Sequence, residues 1–307
     1  MSISFTVDEL CKLTKALDIP EIFKTSHGYR FSGLEALCLL CARLRTPGDI
    51  YELVAKYDRS ICAVSQCINE LCELLDERWQ YLLDFDIDGV LSRENLACYA
   101  KAIHQRGAPL QSVWGFIDCT IRRICRPKKF QRQAYNGHKK YHAIKYQGIV
   151  IPNGMVAHLF GPIEGRRADP GILNESRVIE KCVAHAYLPG DGPAQRHFLQ
   201  LFGDSAYGIS QQMQSPFCGA GERTADESEW NMQMGSIRVE VEHMFGVVSQ
   251  TWPFLNAWWK MQINRSPVGR YYRVGVLLTN AMNCLRPNQV SIAFNLKPPS
   301  LDTYFHD

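Results

Sequence analysis

Two stretches, Val113-Trp-Gly-Phe-Ile-Asp118 and Phe198-Leu-Gln-Leu-Phe-Gly-Asp204, decide the fold. Each is an apolar run of strand length that closes on an aspartate. Between them, Tyr141 to Ile151 and Gly154 to Phe160 read as two further strands, joined by the hairpin signal Pro152-Asn153-Gly154. Asn174 to Ala186 reads as a helix, and Gly219 through Ser228 as a polar loop. Ser236 then opens a helix covering Arg238 to about Val248. Mixed strands followed by helices predict an α/β core of three layers, a mixed sheet flanked by helices.

Upstream of Arg106-Gly-Ala-Pro109 the texture is helical. Leu34, Leu37, Cys38, Cys41 and Leu44 recur at helical spacing. Asp49 to Lys56 forms a short helix, Tyr57-Asp-Arg-Ser60 a polar break, and Ile61 onward a longer helix to about Leu83 with Ser60 as its N-cap. Short helix, turn and longer helix fit a helix-turn-helix. A plain helical bundle fits as well, because Ser60 to Leu75 contains no lysine or arginine. The chain therefore divides into a helical region, 1–107, and an α/β domain, 108–307.

Composition sets the bounds. At 307 residues, with 46% hydrophobic and 21% charged, the chain is globular rather than disordered. No apolar run approaches the ~20 residues of a membrane span. The N-terminus lacks a basic segment followed by an apolar one, so an intracellular protein is expected. The 12 cysteines are scattered. The only C-x-x-C, Cys38 to Cys41, lies in a helical run with no second pair, and core thiols fit it better than zinc.

Net charge is only +3, but it is segregated. Acids cluster between Glu70 and Glu94, whereas none occurs from Cys119 to Ile163 or from His243 to Leu301. The first acid-free zone carries the candidate nucleic-acid contacts Arg122, Arg123, Arg126, Lys128, Lys129, Lys139, Lys140 and Lys145. The second carries Lys260, Arg265, Arg270, Arg273, Arg286 and Lys297. Interleaved with Phe130, Tyr135, Tyr141, Tyr146, Trp258 and Trp259, these zones suit a polyanion, whose phosphates take the charge and whose bases stack on rings. A solvated surface with a run of one sign fits the same pattern.

Three acids stand out by position. Asp118 and Asp204 follow apolar strands, where α/β proteins present functional side chains, and Glu242 lies on the helix Arg238-Val-Glu-Val-Glu-His-Met-Phe-Gly246. Converging carboxylates repel unless cations neutralise them, and hard, oxygen-seeking Mg²⁺ serves that purpose. Each acid also has an ordinary structural reading. The aspartates cap turns, and Glu242 pairs with Arg238 one helical turn earlier. Glu240 competes with Glu242 for the inward face.

The blocks Phe116-Ile-Asp-Cys-Thr120, Gly203-Asp-Ser-Ala-Tyr207 and Val241-Glu-His-Met-Phe-Gly246 resemble those of DDE-superfamily endonucleases of the PIF/Harbinger transposase type. The resemblance extends through Ile124-Cys-Arg-Pro127, Tyr135-Asn-Gly-His-Lys139, His142-Ala-Ile-Lys-Tyr-Gln-Gly148, Gly161-Pro-Ile-Glu-Gly-Arg-Arg167, Gly275-Val-Leu-Leu-Thr-Asn280 and Pro298-Pro-Ser-Leu301. It covers roughly residues 30 to 305, and the blocks together are far more specific than any one alone.

That resemblance implies a ribonuclease H-like core in which Asp118, Asp204 and Glu242 bind two divalent cations, Mg²⁺ or Mn²⁺. It implies an endonuclease or transposase acting on DNA, both transposon ends and target; the expected location is the nucleus, otherwise the cytoplasm. It brings with it a Myb-like DNA-binding partner and leaves room for a homo-oligomer. A domesticated, inactive DNA-binding descendant is the alternative. Two positions depart from the family. Cys119 stands where glycine usually follows the first aspartate, and Ala168 replaces the histidine before Asp169. Asp169 is a fourth candidate metal ligand or, equally, the cap of a helix starting near Ile172.

Overall fold

The computed structural model describes residues 4–192, 196–218, 223–263 and 265–306, with the side chains of residues 240–243 outside that description. α1 (Val7–Ala16) starts with a capping box: the Thr6 hydroxyl accepts from the Glu9 N–H and the Glu9 carboxylate from the Thr6 N–H. A small hairpin follows, β1 (Ile22–Lys24) and β2 (Arg30–Ser32). The helical reading passes over it, because three-residue strands with single buried residues, Phe23 and Phe31, are too short to show a period.

α2 (Gly33–Arg45), α3 (Tyr51–Tyr57), α4 (Ile61–Trp79) and α5 (Arg93–Gln105) complete the N-terminal helices. Asp58 ends α3 in the left-handed region, and Ser60 caps α4 by accepting from the Ala63 N–H. Cys41 is fully buried in α2, and burial pushes both its thiol and that of Cys38 up. α4 is buried against α2 and α10 through Val64, Cys67, Ile68, Leu71 and Leu75.

The main sheet begins with β3 (Val113–Arg123), which runs on past Asp118 because its pairing with β5 continues to Arg123↔Ala143. α6 (Gln131–Ala134), β4 (Tyr135–Asn136), β5 (Tyr141–Val150) and β6 (Val156–Glu164) follow. Next come α7 (Asp169–Ser176), α8 (Val178–His185), β7 (Gln200–Phe202) and β8 (Met213–Gln214). The single helix expected from Asn174 to Ala186 is thus two, broken at Arg177 with φ 55°.

α9 (Ala225–Thr251) begins well before Ser236, since Thr224 and Glu227 form a capping box upstream of it. α10 (Val268–Leu285), α11 (Gln289–Ala293) and α12 (Leu301–Tyr304) close the chain.

The principal strands lie in the order β6-β5-β3-β7-β8, with β4 paired to the start of β5. β6, β5 and β3 are antiparallel, whereas β3, β7 and β8 are parallel. This is the mixed sheet of a ribonuclease H-like core. α9 and α10 cover one face. The Phe245 ring of α9 lies against Gly148, where an added Cβ would come within 2.6 Å of it. Tyr146 donates to the Gly269 carbonyl of α10 at 3.0 Å. α7 lies on the other face, where Ser176 donates to Gln147 at 2.8 Å. Among the described residues, no helix is long and apolar enough to cross a membrane.

The structure also explains part of the charge segregation. Arg270 pairs with Glu77 at 2.9 Å, and Arg273 grips Asp76 through two bonds of 2.6 Å. Arg286 pairs with Glu9, and Lys260 lies 3.6 Å from Asp49. Four of the second zone's cations therefore serve internal pairing rather than a polyanion surface.

His158 on β6 is 1% exposed, stacked edge-on to Phe85 at 6.3 Å. Burial, reinforced by the Lys181 ammonium and opposed by Asp84, lowers its imidazole to about 4. The unfolded chain then binds the extra proton first, so stability falls as pH drops from about 6.5 toward about 4. Between pH 7 and pH 4.5 this should cost about 2–3 kcal/mol. His158→Gln should lose that much less across the same interval in urea denaturation, and equal losses would remove His158 as the cause.

Candidate active site

Asp118 and Asp204 are brought together by strand register. β3 and β7 run parallel with Phe116 opposite Phe202, so the two aspartates, each two residues on, stand level. They also share a face. Gly148, directly across from Asp118, turns its missing Cβ toward Phe245 of α9, so Asp118 faces α9 as well. Gly203 turns the other way, since a Cβ there would meet Tyr207 and Ile117. Asp204, the next residue in extended backbone, therefore returns to the side of Asp118. Two rings mark that side: Phe202 packs on Phe116 at 6.2 Å and on Trp230 of α9 at 5.8 Å.

The environment of each aspartate is polar. Asp118 Oδ1 lies 3.9 Å from Nη2 of Arg238 on α9. Asp204 accepts from the Ala206 N–H at 2.9 Å, capping the 3₁₀ turn Ser205–Tyr207. That is the turn-capping role; it uses one oxygen and leaves the carboxylate a second acceptor. Two hard carboxylate oxygens on one face match the donors Mg²⁺ or Mn²⁺ prefers. Sequence reasoning set Arg238 against Glu242 alone and missed its approach to Asp118. The side chains of Glu240 and Glu242 lie outside the described residues.

Asp169 is not brought into this group. It is the first residue of α7 rather than its cap, Ala168 being the N-cap. Its carboxylate pairs with the Lys145 ammonium, and Lys145 faces the α7 side, two residues from Gln147. Among the described residues no three of His, Cys, Asp and Glu gather closely enough to hold a metal. Asp169 is therefore engaged in a partly buried ion pair, on the α7 side of the sheet.

Cys119 alternates with Asp118 along β3 and likewise faces α7, with Sγ 3.3 Å from the Tyr207 hydroxyl. Burial and the Asp169 charge push its thiol up to about 12. A side chain in place of the usual glycine thus occupies the back of the sheet and leaves the aspartate side clear.

The candidate phosphate contacts divide in two. Arg123, Arg126, Lys128, Lys129, Lys139 and Lys140 are exposed around the exit of β3. Lys145 is only 5% exposed, with its ammonium committed to Asp169 and the Arg167 carbonyl. Arg122 turns inward, donating to Thr120 at 2.5 Å and lying 4.7 Å over the Tyr272 ring. Neither of these two joins the exposed set. Both side chains point out from β3 or β5 into the covering helices, which a count of basic residues does not register.

Comparison with known families matches residues 117–280, more than half the chain, to the DDE superfamily endonucleases. The chain belongs to that superfamily. The matched span opens one residue before Asp118, includes Asp204 and position 242, and runs to Asn280 of α10. It runs from within β3 through β8 and α9 into α10. No curated protein and no solved structure matches the chain.

Proposed function

We propose that this superfamily member is a divalent-metal-dependent DNA endonuclease of the PIF/Harbinger transposase type, with Asp118, Asp204 and Glu242 as its acidic triad. The observation that carries the reading is the level, same-face placement of Asp118 and Asp204 on neighbouring parallel strands. Helical spacing supports the third member. Position 242 falls four residues after Arg238 and three before Phe245, both of which meet the β3–β5 face. Position 240 lies two residues after Arg238 and five before Phe245, on neither residue's side of the helix, and falls at helical spacing from buried Ile237 and Met244 as well as from exposed Ser236.

Mg²⁺ or Mn²⁺ held by these carboxylates would supply the nucleophilic hydroxide and stabilise the leaving oxygen of the phosphodiester. The chain's own residues do the rest. Asp118 and Asp204 present fixed oxygens from a rigid sheet, so orientation need not be acquired during the reaction. Arg238 lowers the mutual repulsion of the acids. The exposed cations past β3 hold backbone phosphates and set the register of the duplex without reading its sequence. The same reading extends to transposon ends and target DNA as substrates, a nuclear location, a Myb-like partner and a homo-oligomeric assembly.

Nicking of labelled duplex with Mg²⁺ or Mn²⁺, beside a gel shift, tests the reading. Cleavage dependent on the metal supports it, and binding without cleavage under either metal favours a domesticated DNA-binding protein. Charge reversal at Lys128, Lys129, Lys139 and Lys140 should weaken binding to all sequences alike. It should also reduce the salt dependence, by roughly 0.9 in the log–log slope for each phosphate no longer neutralised. An unchanged isotherm would mean that these cations are only a solvated face.

A further inference from the structure

The two aromatic zones, more than a hundred positions apart in the sequence, meet at the exit of β3. The Arg123 guanidinium lies 3.8 Å over the Trp258 ring and 5.4 Å from that of Tyr141. Backbone ties fix the junction: the Cys125 N–H donates to the Met261 carbonyl at 3.0 Å, and the Cys125 thiol to the Trp258 carbonyl at 3.0 Å. Trp259 stands edge-on to Trp258, centroids 6.0 Å apart, with half its surface exposed at 50%. In the loop between β3 and α6, Phe130 is 73% exposed and held at φ 58°. Arg126 braces that loop through Gln131 at 2.9 Å.

Burial does not explain these rings. A phenylalanine in the left-handed region is strained, and here the strained residue presents an apolar ring to solvent. Trp259 adjoins the Trp258 ring that Arg123 covers, and Phe130 follows exposed Lys128 and Lys129 in the loop braced by Arg126, with no acid in the sequence from Cys119 to Ile163. Flat apolar faces fringed by cations match a nucleobase and its phosphate. A paired duplex offers phosphates at its surface but keeps base faces stacked inside, so cations alone would suffice for it. Arg123 lies five residues along β3 from Asp118, about 17 Å, or roughly five base steps.

We propose that this ledge binds unpaired DNA bases flanking the cleavage position, stacking them on Trp259 and Phe130 while the neighbouring cations hold their phosphates. The proposal rests on the DNA-directed reading above and names the form of DNA recognised. The step is one of binding, with no bond made or broken.

The test uses the full chain and two probes of one mixed sequence, a single strand of about 16 nucleotides and the blunt duplex. Binding is followed by fluorescence anisotropy without divalent metal, for wild type, Trp259→Ala and Phe130→Ala. Both rings are exposed, so folding should survive, and unchanged circular dichroism checks it. The expected result is a loss of roughly tenfold for the single strand with each variant, and no more than a twofold change for the duplex. Wild-type affinity for the single strand in both variants overturns the ledge while leaving the nuclease reading standing. Equal losses on both probes overturn it too, since stacking then contributes nothing specific to unpaired bases. Single-strand binding that depends on the two rings, in a protein that never nicks DNA, keeps the ledge and removes the nuclease. Wild type that binds neither probe overturns both.

Discussion

Asp118→Asn, Asp204→Asn and Glu242→Gln should each reduce nicking of labelled duplex by roughly a thousandfold or more, with fold and duplex binding retained. Each change keeps size and shape and removes one negative charge. Asn at position 204 still offers an oxygen to the Ala206 N–H, so the Ser205–Tyr207 turn should persist. Asn at position 118 still faces Arg238 but no longer offsets its charge. What disappears is the affinity of the site for a doubly charged cation.

Glu240→Gln is the matched control, since its position lies off the helical line of Arg238 and Phe245, and nicking should persist. Ca²⁺ in place of Mg²⁺ should sustain binding and support cleavage poorly, because its coordination is longer and less regular. Two readouts, cleavage and gel shift, separate a lost metal site from a lost fold. Equal nicking by wild type and any of the three variants would remove that residue from the site.

How much of this was legible beforehand differs by element. The hairpin through Asn153, the Ser60 cap and the apolar strands all express local chemistry, and the sequence states them directly. So does the shared face of Asp118 and Asp204 once register is known, but register itself is tertiary and no local signal carries it. The boundary errors have the same source. β3 continues through Thr120 and Arg122 because β5 supplies hydrogen bonds irrespective of polarity.

The misplaced cations are more instructive. Lys145 reads as one more base in an acid-free run. Its acid, Asp169, comes 24 residues later and reaches it only through the packing of α7 on β5. Arg270 and Arg273 likewise look like polyanion contacts until α10 packs against α4, whose acids lie almost two hundred residues earlier. Linear charge runs record composition, whereas pairing depends on which helices meet.

That α4–α10 junction yields the largest expected loss of stability. Asp76 is 1% exposed, and Arg273 donates to both of its oxygens while reaching the Gly161 carbonyl at 2.8 Å. The pair therefore ties the N-terminal helices to α10 and to β6 at once. Asp76→Ala leaves a largely buried guanidinium with one carbonyl in place of a carboxylate. Breaking such a pair from one side costs about 3–5 kcal/mol. Arg270, 3.6 Å away, would share the exposed deficit without curing it. The double variant Asp76→Leu/Arg273→Met should recover most of the loss, because it removes both desolvated charges and keeps the volume filled. Urea denaturation of the two single variants and a double-mutant cycle give the coupling directly. A loss below about 1 kcal/mol for Asp76→Ala would mean that the pair behaves as a surface ion pair, and that apolar packing of α4 alone holds the N-terminal helices to the core.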